Sequence, residues 1–155
     1  MKNFRKKIIL VDDALTNLQI GRRILIDEYD VFTASSVEKM FQILGEHTPD
    51  LILLDIDMPV VNGYEAITLL KADPQTRDIP VIFLSANYGP DYEIRGLSLG
   101  AVDYMVKPYS PQLLRRRVET QLRLSAQQET IRDYEEKLGG GEDKNPADPA
   151  EADPL

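Results

Sequence analysis

The stretch Leu51–Gly63, which reads LILLDIDMPVVNG, carries the strongest fold signal in this chain. Four consecutive apolar residues run straight into Asp55 and Asp57, with no alternation of polar and apolar side chains. Such a run is typical of a strand that helices cover on both faces, as in a parallel sheet. The stretch therefore predicts a buried strand with carboxylates at its end.

Other apolar runs in the chain end in the same way, each in a residue with a polar side chain. Residues 8–11 precede Asp12-Asp13, residues 81–84 precede Ser85, and residues 104–106 precede Lys107. In a parallel sheet the carboxyl ends of the strands lie along one edge, where open α/β folds place their sites. We therefore expect carboxylates, a hydroxyl and a lysine to converge there.

Between Lys7 and about Leu124, a helical segment lies between each apolar run and the next. Apolar residues recur there at helical spacing, and Ser35 to Glu38 has the sequence of a capping box that opens one helix. Residues 31–34 form a weaker strand, which we expect near an edge of the sheet. The alternation βαβαβαβαβα implies right-handed crossovers and a doubly wound α/β fold.

The last helix is predicted to begin at Ser110-Pro111, with Ser as N-cap, and to continue to about Leu138. Along it, Leu124, Ile131 and Leu138 recur at every seventh position, but the companion positions are polar. This pattern fits either a weak dimer-forming coiled coil or a solvated helix end.

The chain accordingly divides into a domain over residues 1–124, an extension of the last helix over 125–138, and a tail over 139–155. Gly139–Gly141 is predicted to end the helix. The tail is acidic and rich in proline and alanine, so we expect it to be disordered.

The amino-acid composition argues against several classes of function. A formal net charge of -8 disfavours direct binding to nucleic acid and docking on anionic membrane surfaces. With no cysteine and a single histidine, His47, the chain does not offer thiolate catalysis, zinc–sulfur sites or histidine clusters. The sequence shows no signal peptide and no apolar segment long enough to span a bilayer. We therefore expect a soluble, cytoplasmic protein without a membrane partner.

The acidic strand ends suit phosphoryl chemistry that depends on a divalent cation. Clustered carboxylates repel one another unless a cation lies between them, and hard oxygen ligands suit Mg²⁺. The candidate ligands are Asp12, Asp13 and Asp55, with the backbone carbonyl of Asp57 completing the set. Asp55 is also the candidate nucleophile, since a carboxylate can attack a phosphoryl group and form an aspartyl phosphate.

Two further strand-end residues are candidates for contacts with that phosphoryl group. Lys107 can pair with one non-bridging oxygen, and the Ser85 hydroxyl can donate a hydrogen bond to another. Each of these residues, taken alone, also fits an ordinary turn, cap or surface charge. Their joint position at the ends of separate buried strands favours a functional site.

The segments that carry these residues resemble the receiver domain of bacterial two-component response regulators. They are Val11–Asp13, Leu54–Gly63, Leu84–Ala86 and Gly100–Pro108. The resemblance extends over about Lys6 to Leu124. It implies a flavodoxin-like (βα)5 sheet with strand order 2-1-3-4-5. It also implies that Asp55 accepts a phosphoryl group from the phosphohistidine of a sensor histidine kinase or phosphotransfer protein, with Mg²⁺ bound.

The same resemblance implies roles for the other strand-end residues. Asp12 and Asp13 would bind Mg²⁺, with Asp13 the more direct ligand, and Ser85 and Lys107 would contact the phosphoryl group. Tyr104 stands at the family's switch position, where the aromatic ring turns inward as Ser85 moves toward the phosphate.

No output domain can be recognised after Leu124. The chain is therefore either a stand-alone receiver or the receiver part of a longer regulator. The resemblance implies a homodimer or partner contact through the fourth helix, fifth strand and fifth helix, and the C-terminal helix is a second candidate for dimer formation. The basic run Arg115–Arg117 either pairs across such a dimer, with Asp103 or Glu93, or is a solvated helix face.

A second function class stays open. Asp55-Ile56-Asp57 after an apolar strand also resembles the nucleophile motif of haloacid-dehalogenase-type phosphatases, in which the second Asp is an acid/base. In those enzymes the motif follows the first strand, whereas here it follows the third. A phosphatase turns over phosphate monoesters, whereas a receiver catalyses only its own phosphorylation and dephosphorylation.

Overall fold

The computed structural model describes residues 4–140. Strands and helices alternate strictly along this part of the chain. The strands are β1 (Lys7–Val11), β2 (Asp30–Ala34), β3 (Leu51–Asp55), β4 (Val81–Ser85) and β5 (Asp103–Val106). The helices are α1 (Leu15–Leu25), α2 (Val37–Leu44), α3 (Gly63–Ala72), α4 (Pro90–Ser98) and α5 (Pro111–Gly140).

The strands form one parallel sheet in the order β2-β1-β3-β4-β5. This confirms the predicted doubly wound, flavodoxin-like fold class and places the weaker strand, β2, at an edge. The register pairs Val11 with Leu54 and Asp55 with Leu84, so neighbouring strands end at nearly the same level.

The sheet separates two layers of apolar side chains, which explains why the strand sequences do not alternate. On one face Ile9, Ile52 and Phe83 pack with residues of α2 and α3. On the other face Leu10 and Leu53 pack with residues of α1 and the first turns of α5. Every residue of β3 and β4 is buried. The tips of these strands are consequently held by packing on both sides.

The start of α2 differs from the prediction by one residue. The N-cap is Ser36, whose side chain accepts a hydrogen bond from the Lys39 backbone N–H at 3.1 Å, and the predicted box from Ser35 is wrong. The backbone of Ser36 is still extended (φ -157°, ψ 165°), so the first helical residue is Val37. A capping box does form at α3, between Asn62 and Glu65.

Helix α5 begins as predicted, since the Ser110 hydroxyl accepts a hydrogen bond from the Leu113 backbone N–H at 3.0 Å. It continues through Gly139 and Gly140, beyond the predicted end at Leu138. The described chain divides into two compact units, one ending at Leu122 and the other beginning at Arg123. Among residues 4–140, no helix combines the length and apolar character that crossing a bilayer requires.

In the second unit, Leu124, Ile131 and Leu138 are exposed, and Tyr134 shares that exposure. Solvent exposure fits both interpretations of the seven-residue pattern, so the coiled coil stays a prediction. The predicted domain boundaries also stay predictions. Most of the predicted disordered tail, from residue 141 onward, lies outside the described residues.

The loop between β3 and α3 contains an unfavourable backbone conformation at Val60. Its φ is 69°, and it is the one non-glycine residue with positive φ among residues 4–140. A β-branched side chain in this region is a steric outlier. The side chain is 98% exposed, so no buried contact compensates.

We expect the substitution Val60→Asn to raise the free energy of unfolding by about 1 kcal/mol, because asparagine tolerates positive φ. Urea denaturation of the two proteins measures the difference. Val102→Asn is the matched control, since Val102 is also exposed but has an ordinary φ. A Val60→Asn protein no more stable than the wild type would contradict the assignment of strain.

Candidate functional site

The predicted site residues come together at the carboxyl edge of the sheet. Asp55 and Ser85 are the last residues of β3 and β4, Asp12 directly follows β1, and Lys107 directly follows β5. Because β1, β3, β4 and β5 are consecutive neighbours in the sheet, their ends lie side by side. The sheet order thus gathers residues that are up to 95 positions apart in sequence.

Three carboxylates form the acidic part of this site. Asp12, Asp13 and Asp55 each offer an oxygen, and these oxygens lie within 4.8 Å of one another. Asp12 and Asp55 are buried, whereas Asp13 is exposed. Carboxylate oxygens at this spacing, with one side open to solvent, suit a hard divalent cation such as Mg²⁺.

A single lysine joins the two buried carboxylates. The Lys107 ammonium lies 2.7 Å from Asp12 Oδ2 and 3.3 Å from Asp55 Oδ1. Burial favours neutral lysine, but the hydrogen bond and charge of Asp12, together with the charge of Asp55, outweigh it and raise the Lys107 pKa. The ammonium is therefore charged and offsets part of the negative charge at the strand ends.

Asp55 nevertheless remains poorly compensated. Burial raises its pKa from 3.8 to about 6, and the Asp12 charge adds to this, whereas Lys107 acts in the opposite direction. A buried carboxylate with one long ion-pair contact is in a higher-energy state than one in water. The site therefore favours any ligand that brings positive charge or removes the charge of Asp55.

Asp12 is held more firmly than Asp55. Its Oδ1 accepts a hydrogen bond from the Ala14 backbone N–H at 2.9 Å, and its Oδ2 accepts one from Asn17 Nδ2 at 3.1 Å. Asn17 was not among the residues that the sequence predicted. The sequence feature that could have identified Asn17 is its position in the first turn of α1, the helix that follows Asp12-Asp13.

Asp57 lies at the margin of the site. Its side chain is exposed, and its Oδ2 lies 3.5 Å from Asn87 Nδ2. The prediction that the Asp57 backbone carbonyl binds the metal stays a prediction.

Ser85 is fully buried, and its Oγ accepts a hydrogen bond from the Asn87 backbone N–H at 3.0 Å. Tyr104 is only 7% exposed, and its hydroxyl donates to the Asn87 carbonyl at 2.9 Å. Ser85 and Tyr104, the two predicted switch residues, are therefore connected through the backbone of Asn87.

A row of aromatic rings continues from Tyr104 toward α3. Tyr104 contacts Phe83 edge-on, with ring centroids 6.4 Å apart, and Phe83 contacts Tyr64 in the same manner at 5.7 Å. The Arg95 guanidinium of α4 lies 4.1 Å from the centroid of the Tyr64 ring. Cation–π and aromatic contacts of this kind link α4 to both α3 and the switch residues.

One arginine of the basic run on α5, Arg117, forms an ion pair within the chain. Arg117 Nη1 lies 2.6 Å and 2.8 Å from the two carboxylate oxygens of Asp103. The sequence left two possibilities for the basic run, a pair across a dimer with Asp103 or Glu93 or a solvated helix face. Within one molecule, Arg117 on α5 and Asp103 on β5 already form a pair. An intermolecular pair through Asp103 therefore requires this contact to open.

Gly63 is required for the close approach of α3 to the tip of β3. A Cβ added there would lie 2.7 Å from the Asp55 carbonyl oxygen and 2.7 Å from Ile56 Cα. Both are backbone atoms, so the chain itself would have to shift.

We expect Gly63→Ala to lower the free energy of unfolding by about 1–3 kcal/mol and to move the Asp55 carboxylate. Gly45→Ala is the control, since the nearest atom to an added Cβ there is a backbone oxygen at 3.4 Å. Urea denaturation of both variants tests the difference, and equal stabilities would contradict it.

The raised pKa of Asp55 predicts a pH-dependent cost of folding. The folded-state pKa of about 6 exceeds the ordinary 3.8, so ionisation of Asp55 opposes folding increasingly from about pH 4 to pH 6 and fully above that range. In metal-free buffer at pH 7.5, Asp55→Asn should raise the free energy of unfolding by about 1–3 kcal/mol.

The gain from Asp55→Asn should shrink as the pH falls through 6 toward 4. Asp27→Asn, which changes an exposed carboxylate remote from the cluster, should stay within about 0.5 kcal/mol of the wild type. A gain that does not depend on pH would show that ionisation of Asp55 is not its cause.

Comparisons with known proteins agree with this geometry. The family described as "Response regulator receiver domain" matches residues 8–119. A probable cyclic di-GMP phosphodiesterase of Vibrio cholerae is 44% identical over 115 residues, which are 74% of this chain and 26% of that protein. The phosphate regulon transcriptional regulatory protein PhoB of Pseudomonas aeruginosa is 38% identical over 76% of this chain and 52% of its own length.

The solved structures show the same fold. The chemotaxis response regulator CheY4 of Vibrio cholerae superposes with a TM-score of 0.72 at 26% identity, over 76% of this chain and 98% of that one. The chain thus spans about half or less of the curated relatives named above, but nearly all of a single receiver structure. The parallel sheet, the acidic strand ends and the family match together show that this chain belongs to the response regulator receiver domain family.

Proposed function

We propose that Asp55 is the residue of this receiver domain that accepts the phosphoryl group, and that the donor is the phosphohistidine of a sensor histidine kinase or phosphotransfer protein. One observation carries the proposal: Asp55 is a buried carboxylate whose ion-pair contact, to Lys107, is shared with Asp12. In the transfer, an electron pair of an Asp55 carboxylate oxygen forms the new P–O bond. The electron pair of the broken P–N bond goes to the departing imidazole nitrogen.

The cation site supports this reaction. Asp12, Asp13 and Asp55 would hold Mg²⁺, together with the backbone carbonyl of Asp57. When bound, Mg²⁺ supplies positive charge that lowers the repulsion between the carboxylates and the phosphoryl oxygens. Asp12 and Asp55 are held in place for this by the packed ends of β1 and β3.

Lys107 and Ser85 would contact the phosphoryl group directly. Lys107 already lies between two anionic groups, so its ammonium can exchange one carboxylate partner for a phosphoryl oxygen. The Ser85 oxygen accepts the hydrogen bond from Asn87, so its hydroxyl proton can be donated to a phosphoryl oxygen. Two donors aimed at the transferred group stabilise the charge that it carries.

The conformational response would pass from Ser85 to Tyr104. A shift of Ser85 toward the phosphoryl group disturbs its hydrogen bond with Asn87, whose carbonyl accepts from the Tyr104 hydroxyl. The ring of Tyr104 packs on Phe83, and Arg95 of α4 lies over Tyr64 at the other end of the aromatic row. Phosphorylation thereby changes the relative populations of two arrangements of α4 and β5.

The surface formed by α4, β5 and the first turns of α5 is the proposed output face. It exposes the apolar side chains Ile94, Leu97, Val102 and Leu113. Contact with a second copy or with a target protein would bury them. A homodimer through the exposed side chains of α5 beyond Leu122 is the other candidate.

The relatives are longer than this chain, and one is named a probable phosphodiesterase. The chain is either a stand-alone receiver or the receiver part of such a regulator, and we propose no enzymatic activity for residues 8–119 beyond their own phosphorylation and dephosphorylation. We propose a cytoplasmic location, in keeping with the receiver domain family to which residues 8–119 belong.

The haloacid-dehalogenase alternative is not supported. Those phosphatases carry the nucleophile after the first strand, whereas Asp55 ends β3 and the end of β1 is occupied by Asp12 and Asp13. The family match covers both of these segments.

We expect the protein, incubated with Mg²⁺ and acetyl phosphate, to gain the mass of one phosphoryl group. Asp55→Asn should abolish the gain, because an amide oxygen is a poor nucleophile, whereas Asp27→Asn should leave it unchanged. Intact-protein mass spectrometry measures the product. Phosphorylation that persists in Asp55→Asn would contradict the acceptor assignment, and catalytic turnover of phosphate monoesters would favour a phosphatase.

A further inference from the structure

Asn17 donates a hydrogen bond to Asp12, the most firmly held carboxylate of the site. It is the third residue of α1, and its Nδ2 lies 3.1 Å from Asp12 Oδ2. We propose that Asn17 is a positioning residue that orients the Asp12 carboxylate for the divalent cation. The proposal rests on the function proposed above, because it takes Asp12 as a metal ligand.

The two carboxylate oxygens of Asp12 accept hydrogen bonds from different donors. Oδ1 accepts from the Ala14 backbone N–H, and Oδ2 accepts from both Lys107 and Asn17. Asp12 is 2% exposed, so water cannot replace a missing donor there easily. Together these donors leave the carboxylate little freedom to rotate.

Of the two donors on Oδ2, only Asn17 is dedicated to Asp12. Lys107 also contacts Asp55, and its proposed role is to contact the phosphoryl group. Whenever Lys107 turns toward another anion, the amide of Asn17 remains to hold Oδ2. Asn17 therefore keeps Asp12 oriented in states of the site in which Lys107 is engaged elsewhere.

The charge of the donor also matters. A lysine ammonium next to a metal ligand repels the cation, whereas a neutral amide donates a hydrogen bond without adding positive charge. Asn17 thus supplies orientation at little electrostatic cost to cation binding. Hydrogen-bond partners of this kind are known to tune the affinity of metal ligands.

The geometry of α1 argues against a purely local role. Asn17 stands at the third helical position, whose side chain can reach back to cap the start of a helix. In α1 the N-cap residue is Ala14, which makes no side-chain cap, and Asn17 contacts Asp12 instead. The Asn17 amide therefore donates its hydrogen bond to the acidic site and does not cap the start of the helix.

The test measures cation affinity in the full chain without a phosphodonor. Mn²⁺ serves as the probe, since carboxylate and carbonyl oxygens suit it as well as Mg²⁺. Asn17 borders an open cavity of about 400 Å³, so Asn17→Leu and Asn17→Ala remove the amide without crowding a packed core. Free Mn²⁺ is followed by electron paramagnetic resonance during titration.

We expect Asn17→Leu and Asn17→Ala to raise the Mn²⁺ dissociation constant about tenfold. Asn17→Gln, which keeps an amide, should restore part of the affinity. The matched controls are Gln19→Leu and Gln19→Ala, because Gln19 is an exposed amide on the same helix. They should bind Mn²⁺ as the wild type does, and circular dichroism in EDTA should show all of these proteins folded.

The outcomes separate this inference from the proposed function. If the wild type binds Mn²⁺ and the Asn17 variants bind it equally well, the positioning role is wrong and the metal site stands. If the Asn17 variants lose affinity only as much as the Gln19 variants do, the effect belongs to α1 and the inference fails. If the wild type does not bind Mn²⁺, the metal site and the inference both fail.

Discussion

The shared ion pair of Lys107 with Asp12 and Asp55 is the contact on which the site depends. Parallel packing of β1, β3 and β5 brings two buried carboxylates to one sheet edge, and one ammonium lies between them. Burial is the main cause of the raised pKa of Asp55, the Asp12 charge adds to it, and the shared Lys107 offsets only part of it, which leaves a deficit in stabilisation. The fold tolerates this deficit because both sheet faces behind the site are closely packed with apolar side chains.

That deficit also explains why the site is suited to bind and to respond. A cation at the three carboxylates would relieve repulsion, and the proposed attachment of a phosphoryl group to Asp55 would change the charge distribution at the end of β3. On the neighbouring strand β4, short polar contacts run from Ser85 through Asn87 to Tyr104. The proposed switch residues Ser85 and Tyr104 are therefore linked to each other through the backbone of Asn87.

Much of this architecture was predictable from local sequence. The apolar runs at 8–11, 51–54 and 81–84 predicted the buried strands, because strands covered on both faces show no alternation of polar and apolar residues. The residues at the ends of those runs were correctly expected to converge. Fine boundaries were less accurate: the choice between Ser35 and Ser36 as N-cap depends on where the backbone leaves the extended conformation. Two adjacent serines do not reveal that point.

The sequence by itself determined the order of strands and helices, the apolar faces and the chemical groups at each strand end, because these follow from residues close together in the chain. Only the tertiary structure decided which of those groups touch. The sharing of Lys107, the Asn17–Asp12 hydrogen bond, the aromatic row from Tyr64 to Tyr104 and the Asp103–Arg117 pair within one chain were all decided there. Each of these contacts depends on the register and packing of elements that are distant in sequence, which no local pattern encodes.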